Sequence, residues 1–321
     1  MVRILAVALA MAVSVLSAGF AAAQDYPSRS ITIITGFGAG GAHDIEARLF
    51  AAFAEKQLGK PVLVEPRVGG GGTVGAEAVV KAAPDGYTLL WASASLPLYP
   101  LLTKNLHFDP FKDLEPISQV MNFPSGFWVS AAVPAKTVDE FVAWTKANPG
   151  KVNFASPGRS GTLMVLESFK AASGANMTEI TYPGFAQWMT AIFANEIQFI
   201  QSPYNQQMKG YVTEGKIRPL MKIGDKRSPL FPDVPTTGER GWNISDNGWG
   251  GLLAPPGTPK PIIDKLAAVV AAYAADPAVI AKGAETGVDR VASTPAAFKK
   301  LIADDYKRMG DTAKVIGITP E

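Results

Sequence analysis

The chain has 321 residues, 47% of them hydrophobic, with 30 Lys and Arg against 28 Asp and Glu, a formal net charge of +2 and no cysteine. This length buries large cores without covalent staples and points to two domains. The lack of cysteine excludes a disulfide framework, a thiol nucleophile, a Cys-based metal site and a lipidated N-terminal Cys, and a near-neutral chain without a long basic run offers no footprint for nucleic acid.

Residues 1–23 carry one charge, Arg3, then an apolar run ending in Ala21-Ala22-Ala23. This is the layout of a cleaved signal peptide, and without twin arginines it predicts Sec export to the periplasm. No other stretch offers roughly 20 consecutive apolar residues, so the mature protein is not expected to be membrane-embedded.

Residues 31–35 (ITIIT) read as a buried strand. Gly36, Gly38, Gly40 and Gly41 follow, and residues 44–58 read as a helix. A strand at 61–65, a second glycine loop at 69–72, a helix at 73–82 and a strand at 87–92 continue the alternation. Such βαβ units predict an α/β protein with mostly parallel sheets flanked by helices.

A second set starts near Phe127 with a strand at 127–133. The helix at 137–148 opens on Thr137 with Glu140 three residues on, the pattern of a capping box. A strand at 152–155 leads through Ser156-Pro157-Gly158-Arg159-Ser160-Gly161 into a helix at 162–173. A helix at 187–194, strands at 196–201, 216–223 and 248–253, and helices at 260–274 and 295–316 complete the reading. Strand, small-residue loop and helix N-terminus thus occur twice. Each such end presents free backbone N–H groups suited to an anion, and two facing ends would grip one small anionic ligand.

The stretches YPSRSITIITGFGAGGAHDIEAR, GKPVLVEPRVGGGGTVGAEAVVKAAPDGYTLL, GKIRPLMKIGDKRSPLFPDVPTTGE and GGLLAPPGTPKPII resemble the tripartite tricarboxylate transporter substrate-binding receptors, also called Bug or TctC-like proteins. The resemblance implies a two-lobed periplasmic receptor of flytrap type with no catalysis and no cofactor. Lobe one would comprise residues 24–124 and 250–321, and lobe two residues 125–249. The lobes would close on a small carboxylate, a di- or tricarboxylate or an aromatic one. A monomer would deliver it to the membrane subunits of a tripartite transporter. There are departures. His43 stands where Thr or Ser is common, the second loop is ASPGRSGT with Arg159 added, and Phe185 and Trp188 replace smaller residues after Tyr182-Pro183-Gly184.

The candidate ligand-binding residues follow from both readings. Gly40 and Gly41 would let the first loop approach a carboxylate, with Phe37, His43 and Asp44 beside it. Ser156, Gly158, Ser160, Gly161 and Thr162 form the second loop, and Arg159 offers a bidentate fork for the far carboxylate of a diacid. Ser93 and Ser95 follow the strand at 87–92, at the carboxyl end where α/β sheets bind ligands. Tyr182, Gly184 and Tyr204 would complete the pocket, with Phe185 and Trp188 available to pack on the ligand or in the core. His107, the other of the two histidines, lies in a turn, and no metal site is expected.

Two other classes fit parts of the chain. Gly36-x-Gly38-x-x-Gly41 after a strand, with Glu65 ending the next, matches a dinucleotide fingerprint and would suit a periplasmic NAD(P)-dependent oxidoreductase. A hydrolase lacks its G-x-S-x-G elbow, since Ser160 sits in G-R-S-G. A receptor that presents its ligand to a sensor kinase would bind identically.

Overall fold

A computed structural model describes residues 26–158, 160–182, 185–245 and 248–320, so the expected signal segment lies outside the described residues. The first run is β1 (Ile31–Thr35), α1 (Ala42–Leu58), β2 (Val62–Pro66), α2 (Thr73–Val80), β3 (Thr88–Ser93), α3 (Tyr99–Leu102) and β4 (Glu115–Asn122). The second is β5 (Ser125–Ser130), α4 (Val138–Ala147), β6 (Asn153–Ser156), α5 (Gly161–Ser173), β7 (Thr178–Thr181), α6 (Phe185–Phe193), β8 (Phe199–Pro203), α7 (Gln206–Thr213) and β9 (Ile217–Lys222). Then come β10 (Trp249–Ala254), α8 (Lys260–Ala275), α9 (Pro277–Thr286), β11 (Asp289–Arg290) and α10 (Pro295–Val315).

Two sheets result, in the orders β11-β4-β10-β3-β1-β2 and β7-β6-β8-β5-β9. In each, three neighbouring strands are parallel: β2-β1-β3 in one and β7-β6-β8 in the other. Antiparallel partners extend both sheets, β10 beside β3 and β5 beside β8. The chain crosses between sheets at residues 122–125 and again between Lys222 and Trp249. Helices cover the parallel strands, which is why ITIIT is apolar without alternation and why Ile33 is fully buried.

Local chemistry sets the helix ends. Gly59 stops α1 in the left-handed region at φ 66°. Thr137 caps α4 by accepting the Glu140 N–H at 3.2 Å. The Glu140 carboxylate accepts from Lys136 N at 2.7 Å, one residue before the cap, so the reciprocal half of the capping box is shifted. The elements without a counterpart in the sequence reading are β4, β7, β11, α3, α7 and α9. Pro116 masks β4, because proline argues against a central strand. It sits beside a register shift against β10, where the ladder tolerates it. β7 is only four residues of half-exposed or exposed chain and carries no clear period.

The second sheet rests on a ring cluster. Phe199 lies 5.4 Å from Phe127, 5.0 Å from Phe141 and 4.9 Å from Phe169, centroid to centroid. α10 links the two halves. Its Phe298 and Ile302 pack with Trp249 and Leu253 beside the first sheet, while Met309 and Ala313 pack into the cluster around Phe127 and Phe169. Ser168 and Thr312 add a 2.8 Å hydroxyl contact. The segment 250–321 therefore does not stay with the first sheet alone.

The two glycine loops touch. A Cβ on Gly36 would lie 2.6 Å from Gly72 Cα, a contact only glycine permits, whereas one on Gly38 would meet nothing within 4 Å. Gly36→Ala is therefore expected to destabilise the protein by about 1–3 kcal/mol through overpacking against backbone. Gly38→Ala should be nearly neutral. Urea unfolding of the two variants checks this, and equal midpoints would contradict the packing.

Candidate functional site

The first loop is braced from inside its helix. The Asp44 carboxylate is buried, and its Oδ2 accepts the Gly40 N–H and Arg48 Nε, both at 2.9 Å. The hydrogen bond from Arg48 holds this carboxyl below its usual range. Gly41 N–H donates to Gly38 O at 3.2 Å. The amides of Gly40 and Gly41 thus close the loop itself. The N–H groups of Ala42 and His43, in the first turn of α1, have no intrahelical acceptor. Gly36, the first glycine of the fingerprint, is explained by its contact with Gly72 of the second glycine loop.

His43 is the best-defined side chain of this loop. Phe37 stacks on its ring at 4.4 Å, and Phe123 meets it edge-on at 5.4 Å. Trp91 Nε1 donates to its Nδ1 at 3.4 Å. Burial lowers its pKa from 6.5 to about 4. The neutral ring accepts at Nδ1, so it carries its proton on Nε2 and remains a donor there.

In the second loop, Ser156 is fully buried at the end of β6. Its hydroxyl donates to Glu179 and accepts the Gly158 N–H at 2.9 Å, so it braces the turn. Gly158 takes φ 83°, which favours glycine. Ser160 caps α5 by accepting Leu163 N–H at 3.3 Å, and Gly161 and Thr162 begin the helix.

A cavity of about 490 Å³ lies between the halves. Ala42, His43, Ile45 and Glu46 line it from α1, with Thr286 and Val288 from the end of α9. Thr162, Phe185, Trp188, Gln201, Ser202 and Asn205 line it from the second half, and Phe123 and Ser125 from the crossing. Four helices thus place first-turn or capping residues at this cavity: Ala42 and His43 of α1, Thr162 of α5, Phe185 of α6 and Asn205 capping α7. The positive ends of their dipoles favour an anion there.

Of the sequence candidates, His43 and Thr162 line the cavity, Phe37 stacks behind His43, and Asp44 braces the loop from beneath. Phe185 and Trp188 also line it, Trp188 while buried in the core around Ile192. Ser93 and Ser95 stand elsewhere, the Ser93 hydroxyl accepting Ser95 N–H at 3.1 Å. Tyr204 is a core residue packed 4.5 Å from Trp128, and desolvation pushes its hydroxyl pKa far up. Tyr182 is half-buried, with its carbonyl accepting from Trp188 Nε1. Arg159 and Gly184 lie outside the described residues.

The sequence reading missed Glu46, Phe123, Gln201 and Asn205. Glu46 forms a buried ion pair with Arg290, far along the chain, and nothing local announces it. Asn205 follows the carboxyl end of β8, the position that favours ligands in α/β sheets, and Gln201 lies within that strand. A second cavity, about 510 Å³, lies along the returning crossing, but its buried acid is already occupied. Asp305 accepts from Ser245 Oγ at 2.8 Å, Trp249 Nε1 at 2.6 Å and Arg308. Among the described residues no group of three or more His, Cys, Asp or Glu is placed to hold a metal, and no single helix is long and apolar enough to cross a membrane.

The pKa of His43 has a consequence for stability. The unfolded ring titrates near 6.5 and the folded ring near 4. Between these values the unfolded state binds the extra proton, so the fold loses stability as pH falls through that window and keeps it above. The melting temperature of the wild type should therefore drop further than that of His43→Gln between pH 7 and pH 4.5. Equal drops would contradict a neutral, half-buried His43.

The profile of the tripartite tricarboxylate transporter family receptors matches residues 46–318. BugT of Bordetella pertussis is 31% identical over 99% of this chain and 98% of its own. A structure of Rpa4515 from R. palustris with adipate has a TM-score of 0.76 at 26% identity, covering 92% of this chain and 100% of that one. MatC from Rhodopseudomonas palustris with bound malate has a TM-score of 0.68 at 26% identity, covering 89% and 99%. With the α/β sheets and the cavity between them, the match shows that this chain belongs to the tripartite tricarboxylate transporter receptor family, a family of periplasmic solute-binding proteins and not of enzymes.

Proposed function

We propose that this receptor captures a small carboxylate in the cavity between its halves and delivers it to a membrane transporter of the tripartite tricarboxylate type. We take residues 24–124 with 250–321 as one lobe and 125–249 as the other, with α10 lying across both. The observation that carries the reading is the convergence of four helix N-termini on one cavity. His43 Nε2–H and the Thr162 hydroxyl add side-chain donors from opposite halves. A carboxylate held by both would favour the closed state by its greater affinity for it, and the closed surface is what a membrane partner would read. The bound adipate and malate of the two structural neighbours fit the same chemistry.

A thermal-shift screen of residues 24–321 against carboxylates, their amides, sugars and NAD(H) tests this. A ligand that binds only the folded form raises the melting temperature by mass action. Carboxylates should do so and their amides should not, and a shift from NAD(H) alone would overturn the reading. In calorimetry, His43→Phe should weaken the bound carboxylate by roughly 5- to 10-fold, the loss of one neutral hydrogen bond. Unchanged affinity would remove His43 from the contact set.

A further inference from the structure

Much of the cavity's polar equipment is already in use. Glu46 is ion-paired with Arg290, and both side chains are buried. Asn205 Oδ1 accepts Met208 N–H at 3.0 Å, and Ser202 Oγ points at Met208 Sδ, 3.7 Å away. His43 Nδ1 is taken by Trp91. What remains is His43 Nε2–H and the side chains of Thr162 and Gln201, neither of which is hydrogen-bonded among the described residues. With the open amides of α1, these donors suffice for the two oxygens of one carboxylate.

The rest of the wall is apolar. Ile45 and Val288 come from the first half, Phe185, Trp188 and Pro203 from the second, and Phe123 from the crossing. Phe185 and Trp188 are three residues apart on α6 and share a face. Among the described lining residues there is no lysine or arginine, and the one carboxylate, Glu46, has its counter-charge behind it in Arg290. A second ionised carboxylate buried against these rings would meet no counter-charge among the described residues, which is unfavourable. An aromatic ring in its place gains area and edge or stacking contacts.

We infer that the ligand of this receptor bears a single carboxylate on an apolar, aromatic body, with the acid held by the helix ends, His43, Thr162 and Gln201 and the ring clamped between Phe185 and Trp188 on one side and Ile45 and Val288 on the other. The inference rests on the receptor reading above and narrows it. It places the selectivity of the site in α6, on Phe185 and Trp188.

Calorimetry with phenylacetate, phenylacetamide, adipate and malate tests it. Phenylacetate should bind at least tenfold more tightly than adipate or malate, and phenylacetamide should not bind. Phe185→Ala, at a partly buried position, should weaken phenylacetate at least fivefold more than it weakens adipate. Tighter binding of either diacid would overturn the inference while leaving the carboxylate receptor intact, and would return Arg159 to a role on a far carboxylate. Binding of phenylacetamide as tight as phenylacetate, or no binding of any of the three acids, would overturn both.

Discussion

The first N–H groups of an α-helix have no acceptor within the helix, and the site is built around that constraint. In a parallel βαβ unit, each strand runs into the N-terminus of the following helix, so the open donors gather at the carboxyl edge of the sheet. Two such edges face each other here. The cavity between them collects the starts of α1, α5, α6 and α7 with little help from fixed charge. Backbone dipoles cannot be titrated, and they suit an anion without the desolvation cost of a buried lysine.

The loops are closed by their own polar groups. Asp44 ties Gly40 to Arg48, Ser156 ties Gly158 to Glu179, and the first glycine loop leans on the second at Gly36 and Gly72. Pre-organised donors lose little freedom on binding, so the ligand's contacts appear more fully in its affinity. The connections between the halves are separate: two crossings and the long helix α10, which touches the cores of both halves.

Much of this was legible in the sequence, for identifiable reasons. The ITIIT strand, the glycine loop and the α1 helix are strong local signals, and β1 fell on the expected residues. His43 and Thr162, singled out because a helix start after a small-residue loop announces itself, both line the cavity. Local signals could not say which donors in such a loop are already used. Gly40, Gly41, Ser156 and Ser93 all looked available, and in the structure their polar groups brace turns. Tyr204 looked like a pocket aromatic but is core, because its neighbour Trp128 comes from a strand far away in the chain. Glu46 and Gln201 were invisible for the same reason, since their meaning depends on Arg290 and on the facing sheet.

The central claim is that one anion is held between the helix starts of both halves. The most direct measurement is a crystal structure of the receptor with a bound carboxylate. The account predicts the carboxylate between the start of α1, at Ala42 and His43, and Thr162 of α5, with His43 Nε2 within hydrogen-bond distance of one oxygen. A carboxylate found instead in the cavity beside Asp305 and Arg308, with the helix starts untouched, would contradict it.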